Sequence, residues 1–325
     1  MKNGNKSIKI MLNYVVGPVL FVVLSYVLYR QIIHQPDWQA KASRILSCWK
    51  NPLLYVTVLM VILNWGLETL KWKWLINPLE EISFVRALKG VLAGCSITML
   101  TPNRIGEYGG RVFFLRPENR INAIPLTILG AMCQLCITFY VGSLGVIFLE
   151  NDAGFSKLFH QSIPYGALLQ TISICISILI TLLIFGSRKI SSMLMKWAIL
   201  KKATGFLTSI AHFSAKQLLR VLFISFLRYS VFILQYYFLL TVMGIEMEMS
   251  LILALLSVFY LLMALAPTIG FTELPIRAGA AVFLLGKFHS NVVGIEAATF
   301  GIWIINLVLP AIAGTVVLWK VKLTK

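Results

Sequence analysis

An all-α, polytopic integral membrane protein is the fold class this sequence predicts, and three observations carry the prediction. Of its 325 residues, 58% are hydrophobic and only 13% are charged, whereas soluble domains run at roughly 25% charged. Apolar runs close to the ~20 residues needed to cross a bilayer recur at 11–29, 52–70, 123–149, 165–186, 220–243 and 298–319. Two more apolar regions, 84–115 and 251–286, are interrupted, the first at Thr101 and Pro102, the second at Pro267 and Pro275. The expected architecture is about six full spans plus two broken or re-entrant helical hairpins. Mean hydropathy, +0.84, agrees with it.

The first run follows Lys2, Lys6 and Lys9 and superficially resembles a signal peptide. It is too long and lacks a small-residue cleavage site, so a retained first helix is expected. Lys and Arg number 29 against 12 Asp and Glu, an excess that nucleic-acid binding could also produce. Here the charge is scattered over short interhelical loops with no nucleic-acid motif, so the positive-inside bias, with attraction to anionic headgroups, is the simpler source. The 186–220 loop holds seven basic residues, whereas 150–164 holds one and 244–250 none. That distribution predicts cytoplasmic termini, with the 30–51 loop (Arg30, Lys41, Arg44, Lys50) as an exception.

With this topology 84–115 must enter and leave on the cytoplasmic side and 251–286 on the external side. The two hairpins are then oppositely oriented. A single transmembrane domain of 1–325 is expected to divide into a first half, 1–186, and a second half, 220–325, joined by a basic, amphipathic cytoplasmic connector over 187–219.

The interruptions resemble each other. The first contains Pro102, Gly106, Glu107 and Arg111; the second contains Pro267, Gly270, Glu273 and Arg277. Each follows Pro, Ile-Gly, Glu, then Arg four residues on. Inverted elements with broken helices are the signature of inverted-repeat transporters, whose half-helix ends and freed backbone groups line a midplane site. Glu107 with Arg111, and Glu273 with Arg277, have the favourable order for a helical ion pair. Such pairs either hold a hairpin together or wait for a charged substrate. Thr101 and Thr268 add neutral hydrogen-bonding groups, and Arg104 is either an interfacial anchor or a phosphate-facing residue.

Other intramembrane charges are candidates in supporting roles. Glu68 and Lys71 lie one turn apart at the end of the second run, among Trp65, Trp72 and Trp74. The tryptophans with Lys71 and Lys73 read most simply as an interfacial belt, with Glu68 deeper. Arg228 has no acid near it in its own run, so it either faces a glutamate elsewhere or snorkels to the membrane edge. Glu296 heads the last run, where a negative charge suits a helix N-terminus. Cys133 and Cys136 form a C-x-x-C inside a long apolar run and read as small buried residues; Cys48, Cys95 and Cys175 bring the total to an odd five. His34, His160, His212 and His289 show no metal spacing. No cofactor or metal is expected, and no triad, Walker lysine or nucleotide fingerprint is found.

At "TPNRIGEYGGR", "PTIGFTE" and "ETLKWKWL" the sequence resembles the membrane region of bacterial lysylphosphatidylglycerol synthases and their stand-alone relatives, a family described as flippase-like, over nearly the whole chain. The departures are Asn103 where that family usually has Gly, Pro267 and Thr268 where it is richer in Gly, and an added Pro275. They bear on backbone flexibility and substrate identity.

The resemblance implies a multi-pass protein of the bacterial inner membrane that moves a lipid or lipid-linked molecule between leaflets, with Arg104, Glu107, Arg111, Gly270 and Glu273 at the transport site. It does not imply the lysyl-transfer reaction, which needs a soluble domain larger than the longest non-spanning segment here. The expected partners are membrane lipids, anionic or phosphate-bearing, because guanidinium pairs bidentately with phosphate. Two alternatives remain at this stage. One is a membrane scaffold for a separate lipid-synthesising enzyme, and the other a headgroup-modifying enzyme using Glu107 and Glu273 as acid and base.

Overall fold

The computed structural model of the chain describes residues 26, 39, 43, 45–99, 101, 106–151, 155–157, 159, 165–194, 201–266 and 273–323. Regular structure among them is entirely helical. Five helical stretches are long and apolar enough to cross a membrane: Pro52–Ile76, Pro117–Asn151, Gly166–Phe185, Ala215–Val242 and Val292–Trp319. The expected span at 11–29 lies, except for Tyr26, outside the described residues.

Helix α1, Pro52–Ile76, begins with Pro52 in its first turn and the Asn51 side chain accepting from Leu53 N, the usual chemistry of a helix start. It runs six residues beyond the apolar stretch at 52–70, carrying Lys71 and Trp72 into the interior. Lys71 is therefore not the interfacial anchor the Trp-rich context suggested. Helices α2, Phe84–Met99, and α3, Gly106–Val112, form the first hairpin. Then follow α4, Arg120–Asn151, and α5, Gly166–Phe185. The expected amphipathic connector contains two short helices, α6, Ser187–Leu194, and α7, Lys201–Ala211. Helix α8, Ala215–Val242, opens with a reciprocal Ser214–Gln217 capping box, which satisfies two otherwise orphaned backbone donors.

Helices α9, Met249–Leu265, and α10, Glu273–Leu285, form the second hairpin. Pro275 falls in the first turn of α10, where a missing N–H costs nothing, so it does not interrupt that helix. The last span begins as α11, Val292–Trp303, widens into a π turn at Ile304–Val308 and continues as α12, Leu309–Leu323. Pro310 explains the widening. It cannot donate to the carbonyl of Asn306, and its ring would clash there; the Leu309 N–H reaches back five residues to Ile304 instead.

The hairpins enter from opposite ends of the bundle. Helix α2 starts at the Ile76 end, where Arg86 Nε donates to Phe114 O at 2.7 Å. It descends antiparallel to α12, with Ser96 Oγ donating to Ala311 O at 2.5 Å. Helix α9 starts at the other end, beside Met243, whose carbonyl accepts from Asn291 Nδ2 at 3.2 Å. Small residues permit the closest helix contacts, as is usual in membranes. A Cβ on Gly110 would lie 2.5 Å from Gly94 Cα, so α2 and α3 touch backbone to backbone. Gly142 leaves room on α4 for the Leu261 side chain of α9.

Each hairpin has its own apolar core. Trp72, Ile76, Ala87, Val91, Val112 and Leu129 pack around α2–α3, and Tyr236, Leu255, Phe259, Leu284 and Ile295 around α9–α10. Leu59, Ile62, Leu63, Leu179 and Leu182 point outward, as suits lipid contact.

Candidate functional site

Polar residues on α1 recur as Asn64, Glu68 and Lys71, at spacings of four and three, and so share one helix face. That face turns inward, and all three side chains are buried. Glu68 is the centre. Its Oε2 lies 2.7 Å from Lys71 Nζ and 3.1 Å from Arg228 Nη1 of α8. Its Oε1 lies 2.8 Å from Arg111 Nη2 of α3. Arg111 also pairs with Glu107, as the i, i+4 spacing predicted.

Among the described residues, three cations and two carboxylates thus share one cluster, which leaves one positive charge in excess. Charges at this depth are tolerated only when paired. The Glu107 side chain is 28% exposed, against 12% or less for the other four. Glu107 is therefore where the cluster meets its surroundings. Arg111 Nε is buried with no hydrogen-bond partner among the described residues.

Arg228 carries the cluster into a ladder of amides. Its Nε donates to Asn64 Oδ1 at 2.9 Å and its Nη1 to Gln134 Oε1 of α4 at 3.4 Å. Asn64 donates to Asn306 Oδ1 in the π turn at 2.5 Å. Asn306 donates to Gln235 Oε1 at 3.1 Å, and Gln235 to Thr57 O at 3.0 Å. The guanidinium also sits 5.3 Å from the Trp65 ring centroid and 5.1 Å from that of Phe232, a cation–π cradle. Of the two expectations for Arg228, facing a glutamate is the one realised.

The second hairpin repeats the pair with different company. Arg277 Nη2 and Nε lie 2.8 and 2.9 Å from Glu273 Oε1. Around this hairpin lie aromatic rings: Tyr236 and Phe259 stand edge to face at 5.4 Å, Phe259 and Tyr260 at 5.3 Å. Tyr236 bonds Thr299 of α11 through their hydroxyls.

Outside the spans, Glu80 ties the α1–α2 loop to the segment leading into α4. Its Oε2 accepts from Arg116 N at 2.9 Å and Asn119 Nδ2 at 3.1 Å, and its Oε1 lies 2.8 Å from Arg86 Nη1. Burial pushes the Glu80 carboxyl up, but the Arg116 N–H, the Asn119 amide and the Arg86 guanidinium outweigh it and hold it below the usual carboxylate range.

Among the expected site residues, Glu68, Lys71, Glu107, Arg111 and Arg228 come together, while Glu273 and Arg277 form a separate pair. Thr101 Oγ1 accepts from Gly106 N at 2.8 Å, capping the start of α3. Pro102, Arg104, Pro267, Thr268 and Gly270 lie outside the described residues.

Sequence reasoning passed over Asn64, Gln134, Gln235, Asn306 and Glu80. The first four are single amides inside apolar runs, and that was the available signal. Glu296 lies near the start of α11, as expected, but is buried there. No group of three or more metal-ligating side chains occurs among the described residues.

A family model described as the lysylphosphatidylglycerol synthase TM region matches residues 12–314. No curated protein and no solved structure matches the chain.

Proposed function

Because the chain belongs to the lysylphosphatidylglycerol synthase transmembrane-region family, we propose that it translocates an anionic phospholipid or lipid-linked intermediate between the leaflets of the bacterial inner membrane. The family associates the chain with lipid modification or transport. The single observation behind the narrower reading is the Glu68-centred cluster, whose spare positive charge is buried between long helices and a hairpin. A phosphate-bearing headgroup would supply the missing negative charge there.

In this reading Arg111 and Arg228 contact the headgroup phosphate, and Arg104 joins them, because a guanidinium offers paired donors to phosphate oxygens. Glu68 and Glu107 hold the cations in place between visits. Glu273 and Arg277 form the corresponding station on the opposite hairpin. The two halves act as an inverted repeat with cytoplasmic termini, and the acyl chains stay in the bilayer while the headgroup crosses.

The test is lipid movement in proteoliposomes across a panel of fluorescent anionic and zwitterionic phospholipids. Wild type should move an anionic class. Arg104→Ala and Arg228→Gln, verified as inserted and folded, should abolish that movement. A wild-type protein silent across the panel, or folded variants that transport normally, would overturn the reading.

A further inference from the structure

The last span carries, across α11 and the π turn, a second polar stripe that meets the headgroup site only at Asn306. Glu296, Thr299, Trp303 and Asn306 follow at intervals of three, four and three, which stacks them on one helix face. Thr299 is fully buried, and Glu296 and Asn306 are more than nine-tenths buried. Two atoms on the stripe, Glu296 Oε1 and Trp303 Nε1, are enclosed without a hydrogen-bond partner among the described residues. The stripe spans about 15 Å at 1.5 Å per residue, half the ~30 Å of a hydrocarbon core. At one end Glu296 lies about 6 Å from the start of the helix. At the other, Asn306 is bonded to Asn64, which in turn accepts from Arg228 of the charge cluster.

Glu296 differs from the other buried carboxylates. Glu68, Glu80 and Glu273 each have a cation within ion-pairing distance. From the elements around α11, Arg277 and Glu273 on α10 are paired with each other, and Tyr236 on α8 is bonded to Thr299. Lys287 and His289 precede α11, and Glu246 and Glu248 follow α8; none of the ion pairs among the described residues includes Glu296. An isolated ionised carboxylate in such a place is far costlier than the neutral acid.

We propose that Glu296 is a proton-binding site whose loading and unloading is coupled, along the Thr299–Trp303–Asn306 stripe, to transport at the Glu68 cluster. The proton arrives from hydronium, leaving water, as the new O–H bond forms on the carboxylate; it departs to water by the reverse step. The coupling half rests on the translocation reading above, whereas the proton site itself does not.

Two measurements on the full-length protein test these halves separately. Infrared difference spectra of wild type and Glu296→Gln in lipid, at neutral pH, should show a protonated-carboxyl C=O stretch only in wild type, shifted in heavy water. Absence of that band overturns the proposal. In proteoliposomes containing fluorescent phosphatidylglycerol, with the membrane potential collapsed, an imposed gradient of about one pH unit should shift the steady-state leaflet ratio about tenfold for one proton per lipid. In Glu296→Gln the ratio should stay at its gradient-free value.

A wild type that moves lipid but ignores the gradient, or a Glu296→Gln that still follows it, overturns the coupling and leaves translocation standing. A wild type that moves no lipid overturns translocation, and the infrared band still decides the proton site. If Glu296→Asp folds and Glu296→Gln does not, the ionised form is the resident one and the proposal fails, because the amide mimics the neutral acid.

Discussion

The two hairpins carry the same glutamate–arginine spacing in different electrostatic surroundings. On α10, Arg277 directs two nitrogens at Glu273, and the neighbouring elements supply aromatic rings. On α3, Arg111 reaches past Glu107 to Glu68, which also holds Lys71 and Arg228. The local motif therefore sets only the pair. What the pair joins depends on which long helix stands behind the hairpin. Helix α1 brings a buried carboxylate to the first, and no equivalent acid meets the second among the described residues.

The sharpest way to break this contrast is to remove each acid. Glu68→Ala leaves three buried cations without their common acceptor and should cost about 3–5 kcal/mol or prevent insertion, as for a broken buried pair. Glu273→Ala strands Arg277, whose side chain is 16% exposed, and should cost about 1–3 kcal/mol. Thermal or denaturant unfolding in detergent measures both. Equal losses would mean that the clusters are equivalent.

Backbone packing sharpens the comparison next. Gly110→Ala forces a Cβ into the Gly94 backbone, an overpacking worth about 1–3 kcal/mol. Gly279→Ala on α10 meets nothing within 4 Å. It should be stabilising by up to about 1 kcal/mol through helix propensity. The same unfolding experiment separates the two; a stable Gly110→Ala would mean that the α2–α3 contact is looser than described.

The smallest expected effect belongs to Glu80. Its depressed carboxyl binds a proton less readily folded than unfolded. The stability it contributes is complete above the unfolded value near 4.3 and is lost as pH falls through the lower folded one. Glu80→Gln should flatten the stability profile in that acid window and leave its shape above it unchanged. An unaltered acid limb would remove Glu80 from the account.

Much of this was legible because it is local. Apolar run length located the described spans, and i, i+4 spacing located both ion pairs. Arg228 had no readable partner because Asn64 is 164 residues away and Glu68 is similarly remote. Lys71 looked interfacial because it sits among tryptophans; its i, i+3 pairing with Glu68 is local and was open to the sequence, but its burial goes with Arg111 and Arg228 reaching the same carboxylate from α3 and α8. Glu296 looked like a helix-start charge because the sequence cannot show that α8 and α10 cover that turn. The π turn had a visible cause in Pro310, but its effect, presenting Asn306 to both Asn64 and Gln235, depends on two helices far from it in the chain.

The unequal count in the Glu68 cluster also has an electrical consequence. With each group in its ordinary ionised form, the empty site holds one uncompensated positive charge, and a singly charged headgroup would cancel it. A membrane voltage would then act on the cluster when it is empty and not when it is loaded. Across 100 mV, one charge moving through the full field is worth about 2.3 kcal/mol. For the cluster alone, the headgroup crossing would then be electrically silent and the return would carry the charge; a proton gained or lost at Glu296 would alter one of these two legs by one charge.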